Sequence, residues 1–338
     1  MSEVGVLVVG VGRAGMVHAR NFAAGVPGAH LVGVSDPNEE ARQRAADELG
    51  CVAFADFETA VLDERVDAVV IASPTFTHAS LAIRALEARK SVLSEKPLAS
   101  SLEEAAAIAA AVNNSGAVFM IGFMRRFDLG FRRAAQLIEA GDIGEPLLVR
   151  STTRGPGLPP SWAWDVERSG GLVAEVNSHD LDTVRWMTGQ EYLTVTAVGR
   201  AAKRPDLAEQ HPGFVDTLVV QCELDGGALA HIDGACPATY AYDARVEVYG
   251  SEGVVFAGSP VEGPLLVRKG QAHRDPVPGW AHLFAAAYRN EDAHFAAACR
   301  GEAVPIPGIT DGIRALEAAV AINRSLREGR TVVVKELR

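Results

Sequence analysis

Three short stretches of this 338-residue chain combine residue types and spacings that can do chemistry. The first, Gly10-Val11-Gly12-Arg13-Ala14-Gly15, is a GxGxxG that follows an apolar strand and opens a helix. In such a turn the first glycine makes the tight bend, the second lets backbone approach a pyrophosphate, and the third lets helix pack on strand. Phosphates there face a helix N-terminus, whose unpaired N–H groups and dipole favour negative charge. Glycines that serve packing alone would give the same hexapeptide. The context adds weight: the next strand ends in Val34-Ser35-Asp36, and a carboxylate about 20 residues beyond the fingerprint accepts both hydroxyls of an adenosine ribose. A 2′-phosphate would meet a like charge at Asp36, and Pro37 and Asn38 supply no cation to receive it. Arg13 is the one basic residue nearby and could equally contact pyrophosphate, so NAD is expected rather than NADP.

The second stretch is Glu95-Lys96-Pro97. Ligands of open α/β sheets bind outside the carboxyl ends of the strands. Those ends carry Gly10, Asp36, Ser73-Pro74, Glu95-Lys96-Pro97 and Gly122-Phe123. A lysine at that edge can hydrogen-bond a reacting oxygen and favour its alkoxide; the plainer alternative is a salt bridge with Glu95. The Lys96–Pro97 bond is a candidate for the cis isomer. His78, at a helix start, reads as a cap or packing residue before a cofactor contact.

The third stretch runs from Gly170-Gly171 to Asp182. Glu175, His179 and Asp182 are spaced by four and three residues, so one continuous helix would carry all three on one face. Oxidising an alcohol requires removal of the hydroxyl proton as hydride leaves. Histidine suits that task, and a neighbouring carboxylate orients it and stabilises imidazolium. The plainer alternative is a backbone-bonded histidine beside a solvated acidic stripe. A divalent metal clamped by the same three residues is the minority reading, because only one histidine is present and no second-ligand cluster is evident.

The elements that would position these groups follow from the hydrophobic pattern. Val4–Gly10, His30–Asp36, Val66–Ser73, Ser91–Ser94 and Val118–Gly122 read as strands, with helices at Arg13–Ala24, Glu39–Leu49, Thr77–Ala88 and Leu102–Asn113 between them. Strands nearly continuous in Val, Ile and Leu are covered on both faces, so this half is an α/β Rossmann-type unit with a doubly wound parallel sheet. After Phe123 the rhythm changes. A helix at Phe131–Ala140, a strand at Leu147–Thr153, a loop at Gly155–Pro160 and a helix at Leu172–Met187 come first. Strands then follow at Val195–Ala201, Phe214–Glu223, Ala228–Gly234, Arg245–Gly250, Val254–Ala257 and Leu265–Arg268, which predicts an α+β unit with a large open antiparallel sheet. Helices at Trp280–Cys299 and Asp311–Arg327 and a strand at Thr331–Val334 close the chain. The expected division is residues 1–122 for the dinucleotide and 123–338 for substrate and oligomer contacts.

The composition, 48% hydrophobic and 22% charged, is that of a folded globular protein. A net charge of -11 argues against nucleic-acid or anionic-membrane partners, which need a basic surface. No run approaches the roughly 20 apolar residues of a membrane span. Cys51, Cys222, Cys236 and Cys299 are far apart and form no CxxC pair, so neither a disulfide framework nor a thiolate zinc site is indicated and a cytoplasmic setting is expected.

These motifs together resemble the glucose–fructose oxidoreductase / inositol dehydrogenase / MocA family along nearly the whole chain. Gly10–Gly15, Asp36, Glu95-Lys96-Pro97, Ile143-Gly144-Glu145-Pro146 and Gly170-Gly171 through Asp182 carry the broad likeness. Phe123-Met124-Arg125-Arg126-Phe127-Asp128 and Tyr240-Ala241-Tyr242-Asp243 look like its inositol 2-dehydrogenase branch. The resemblance implies an NAD-dependent oxidoreductase acting on a secondary alcohol of a cyclitol or sugar, myo-inositol first. It implies a substrate site to which both halves contribute, and a homodimer or homotetramer through the open sheet. By position, Lys96 would hold the substrate oxygen, His179 would be the base with Glu175 or Asp182 beside it, and Met124, Arg125 and Tyr240 would contact the polyol. Ser73, Pro74 and Glu95 would join Gly10, Gly12, Arg13, Ala14, Gly15 and Asp36 around the cofactor. Two departures bear on the substrate: Glu175 stands where the branch has aspartate, and Leu283 where an arginine is usual. A sugar 3-dehydrogenase or sugar-ketone reductase is the rival within the family, and a non-catalytic NAD-binding regulator the rival outside enzymes.

Overall fold

The computed structural model describes residues 3–268 and 271–337. The chain forms two compact units, Met1–Phe127 with Ala285–Ile313, and Asp128–Phe284 with Arg314–Arg338. This differs from a single cut after residue 122, because a late segment returns to the first unit. Ala285–Cys299 buries Ala287, Phe295 and Ala296 there. Arg300, just beyond it, donates to the carbonyls of Pro27 and Gly28. The apolar pattern of that segment announces a buried helix and says nothing about which core receives it.

In the first unit six strands, β1 (Val4–Val9), β2 (Ala29–Ser35), β3 (Val52–Phe54), β4 (Ala68–Ile71), β5 (Ser91–Glu95) and β6 (Phe119–Gly122), form a sheet of order β3-β2-β1-β4-β5-β6. Every pairing is parallel. β1 and β4 are buried along their whole length, which is why they are unbroken runs of apolar residues and glycine. The helices are α1 (Arg13–Gly25), α2 (Glu39–Leu49), α3 (Phe57–Val61), α4 (His78–Glu87) and α5 (Leu102–Ser115). Local chemistry sets their ends: Asn38 caps α2 by accepting from Ala41 N–H, and Gly50 closes it in the left-handed region at φ 65°. β3 and α3 have no counterpart in the sequence pattern; three and five residues are too short to display a period. The order places β1 beside β4, where the connections leave in opposite directions and the crevice of such sheets opens.

The second unit contains β7 (Pro146–Arg154), β8 (Tyr192–Arg200), β9 (Thr217–Leu224), β10 (Leu229–Ala235), β11 (Asp243–Gly250), β12 (Val254–Ala257) and, near the C-terminus, Val332–Val333, in one seven-stranded sheet. The sheet is mixed: β10 pairs β7 in parallel and the other pairs are antiparallel, so the expected fully antiparallel sheet is corrected at that one pair. β9 alternates exposed and buried residues along its length, the pattern of a sheet covered on one face. The helices are α6 (Leu129–Glu139), α7 (Val166–Ser169), α8 (Gly171–Glu175), α9 (Ser178–Thr188), α10 (Pro205–Gln210) and α11 (Trp280–Leu283). They are followed by α12 (Ala285–Cys299), already placed in the first unit, and α13 (Ile309–Glu328). The expected helix at 280–299 is thus interrupted at Phe284. β13 (Val261–Arg268) pairs with β14 (Gln271–Pro276) in a separate hairpin, and β14 has no counterpart in the sequence pattern.

Candidate active site

The dinucleotide loop is built around Gly10, which leaves β1 at φ +89°. A Cβ on Gly10 would lie 2.7 Å from the Ala72 carbonyl oxygen, and one on Gly15 only 1.8 Å from the Gly10 oxygen. Both positions therefore require glycine for close packing of helix and strand. Gly12 is different: it is exposed, and a Cβ there would meet nothing within 4 Å. Protein packing gives no reason for glycine at that position, whereas the approach of a phosphate does. Gly12 heads the thirteen-residue α1 without a side-chain cap, Arg13 is exposed and Ala14 half-buried. Asp36 accepts from Val11 N–H through Oδ2 and from Asn38 N–H through Oδ1, both at 2.9 Å. Each oxygen keeps a further lone pair, so the carboxylate is anchored to the loop and can still accept hydroxyl donors. These features fit an adenine dinucleotide. At the end of β4, the Thr77 hydroxyl donates to the Pro74 carbonyl, so Ser73 is the donor in its 2.6 Å contact with Thr77. His78 spans to the neighbouring strand end, its ring nitrogens 2.9 Å from the Ser73 carbonyl and 2.8 Å from that of Pro97.

Lys96 is half-buried at the end of β5, and the Lys96–Pro97 bond is cis. Glu95 is 5% exposed and faces away from solvent. Its Oε2 accepts from Lys96 N–H at 3.2 Å, and its Oε1 meets His18 Nε2 at 3.2 Å. His18 Nδ1 lies 2.6 Å from Asp292 Oδ1, whose second oxygen accepts from Asn21 at 2.7 Å. Burial works against the charged ring, yet the Asp292 carboxylate, and after it Glu95, hold the His18 pKa well above 6.5. Burial likewise opposes the Glu95 carboxylate, and His18 outweighs it, leaving Glu95 below the usual range. Both ring nitrogens of His18 thus face carboxylate oxygens, an arrangement that favours the charged ring. No sequence motif singles out His18 or Asp292; positions 18, 95 and 292 are brought together only by folding. Met124 and Arg125, both 1% exposed, sit in a short 3₁₀ turn after β6, and the adjacent Arg126 pairs with Asp311 at 2.8 Å.

In the second unit the expected single helix at 172–187 is two, α8 and α9. Both Val176 N–H and Asn177 N–H donate to the Leu172 carbonyl, so the turn widens and α9 starts afresh at Ser178. Glu175 ends α8, half-buried, and the four-residue spacing to His179 no longer places the two on one helical face. His179 and Asp182 do share α9, three residues apart, and both are buried. What the motif does not reveal is the role of Asp180. Its carboxylate accepts from Ser151 at 2.6 Å, Thr153 at 2.7 Å and Asn177 at 2.8 Å, bolting the first turn of α9 to β7. Consecutive helical residues diverge by about 100°, so with Asp180 aimed at the sheet His179 is turned off it on a rigid turn. Tyr240 donates its hydroxyl to Asp243, which also accepts both arms of Arg245. Beside them Arg154 pairs with Asp233 at 2.6 Å. Among the described residues no three His, Cys, Asp or Glu side chains converge as a metal ion requires, and no helix is long and apolar enough to cross a membrane.

Residues 4–123 match the profile of the oxidoreductase family with an NAD-binding Rossmann fold, and residues 131–256 that of the GFO/IDH/MocA C-terminal domain. The chain is 37% identical to scyllo-inositol 2-dehydrogenase (NAD(+)) of Bacillus subtilis, over 98% of this chain and 96% of the relative. It is 33% identical to myo-inositol 2-dehydrogenase of Thermotoga maritima, over 98% of each. A solved structure of scyllo-inositol dehydrogenase from Lactobacillus casei, with bound NAD(H) and scyllo-inositol, superposes with a TM-score of 0.91 over 99% of this chain and all of the other, at 28% identity. Matched over nearly its whole length, the chain belongs to the GFO/IDH/MocA family of NAD-binding oxidoreductases.

Proposed function

We propose that this protein oxidises a ring secondary alcohol of an inositol to the ketone, with NAD as acceptor and myo-inositol as the expected substrate. The observation that carries the reading is the pairing of a cradle suited to NAD with a lysine at the end of β5, in a chain similar over nearly its whole length to several proteins named inositol 2-dehydrogenase. NAD, when bound, supplies the hydride acceptor. Lys96 donates a hydrogen bond to the reacting oxygen and favours its alkoxide character as the carbon–hydrogen bond breaks. His179 takes the hydroxyl proton, and Asp182 or Glu175 orients the imidazole. Met124, Arg125 and Tyr240 are proposed polyol contacts.

Scyllo-inositol is the second substrate to consider, because the 37% identical relative is named for it. Oxidation of myo-inositol at C2 and of scyllo-inositol gives the same ketone; the two differ in the face of the ring that carries the departing hydrogen. The test is NADH formation with a panel of myo-inositol, scyllo-inositol, other cyclitols and aldoses. An inositol should give the highest kcat/KM. A clear preference for an aldose, or no NADH from any member, would discard the reading.

We further propose assembly through the open face of the second sheet. Val254, Tyr249, Leu148 and Leu229 stand side by side across β12, β11, β7 and β10, and Val254, Tyr249 and Leu229 are exposed. A contiguous apolar row of this kind marks an interface. Light scattering should report a dimer or tetramer, and Leu229→Asp should shift it to monomer; a monomeric wild type refutes the assignment.

A further inference from the structure

Of the buried cluster of Asp292, His18 and Glu95, only Glu95 is expected near the cofactor, and its two oxygens are instead taken by His18 and the Lys96 N–H; stability is a poor reason for such a cluster. Burying an ion pair costs about as much desolvation as its attraction returns, and apolar replacements of similar shape are often no less stable. Its placement is more telling. His18 lies on the buried stripe of α1 with Gly15, Ala19 and Phe22, one turn beyond the glycine that packs helix on strand. Glu95 is the last residue of β5 and precedes Lys96. Asp292, with Tyr288 edge-on to the His18 ring at 5.3 Å, comes from α12. At the remaining side Gly122, ending β6, packs tightly: a Cβ there would fall 3.2 Å from Glu95 Cα and Cδ and 3.3 Å from Oε2, so Glu95 would have to give by a few tenths of an ångström.

Resting on the reading of Lys96 as the contact to the reacting oxygen, we propose that His18 is a positioning residue for Lys96. Its ring, held at both nitrogens, fixes the Glu95 carboxylate, and Glu95 through the Lys96 N–H fixes where the lysine leaves the strand. The cluster couples the helix that heads the cofactor loop to the residue that must meet the substrate. The charged groups that face His18 are Asp292 from α12 and Glu95 from β5. The upward displacement of the His18 pKa agrees with this, since a neutral ring could donate to only one of the two carboxylates.

The test is a double-mutant cycle on the whole enzyme with Lys96→Met, using kcat, KM for each substrate and NADH affinity. His18→Gln should lower kcat by about ten- to a hundredfold, the range in which displacements near one ångström act, with NADH affinity changed only a few-fold. In the Lys96→Met background the same substitution should cost almost nothing further, because residues acting as one unit are non-additive. Gly122→Ala, which presses on Glu95 without altering His18, should reproduce a smaller kcat loss with the same non-additivity, and serves if His18→Gln does not fold. Multiplicative losses in the double variant, or an unchanged kcat in both single variants, overturn the proposal. A near-normal Lys96→Met enzyme instead overturns the underlying role of Lys96, and the positioning proposal falls with it.

Discussion

Lys96→Met should lower kcat by about a hundred- to a thousandfold, the range seen when one donor to a developing oxyanion is removed. Methionine keeps the unbranched stem and removes the ammonium, so packing beside the half-buried side chain changes little. The loss should fall on kcat rather than on the KM for NAD, because the proposed cofactor contacts lie elsewhere, in the glycine loop and at Asp36. Lys96→Arg preserves charge yet replaces a compact ammonium by a broad planar fork, so it restores little. Steady-state rates and NADH binding by fluorescence check the expectation. A Lys96→Met enzyme within a few-fold of wild type would remove the lysine from the chemistry.

His179→Asn should carry a comparable penalty for a different reason. A positioned proton acceptor is worth about a hundred- to ten-thousandfold, and an amide cannot take the hydroxyl proton. The effect has a signature in pH. An imidazole must be deprotonated to act as base, so wild-type kcat/KM falls on the acid side; in the variant that limb disappears and the residual rate rises with hydroxide. The fold should tolerate the change, because the turn is secured by the neighbouring Asp180 through Ser151, Thr153 and Asn177. A variant that keeps the wild-type acid limb would assign the base to another group.

Of these two residues, Lys96 is legible from the order of amino acids alone. It stands past a strand at the chemical edge of a parallel sheet, and the glycine fingerprint with Asp36 is a local code read within a few dozen residues. His179 is legible only in part. Its motif names the histidine, but the expected face shared with Glu175 rests on an unbroken helix, and the doubled acceptance at the Leu172 carbonyl restarts the helix between them. Asp180 gives no signal of its own, because the residues it binds on β7 lie nearly thirty positions earlier.

The sequence by itself determined the alternation of strand and helix in the first unit, the mixed α+β character of the second, the cofactor class and the family. These depend on hydrophobic period, on glycines at tight turns and on a carboxylate at a strand end, all properties of neighbouring residues. Only the tertiary structure decided that Ala285–Cys299 returns to the first unit, that β7 and β10 run in parallel, and that His18 and Asp292 enclose Glu95. The physical reason is the same in each case. An apolar stripe or a buried charge states that a partner must exist, while the partner's identity is chosen by packing among segments as many as 274 positions apart, which no local pattern encodes.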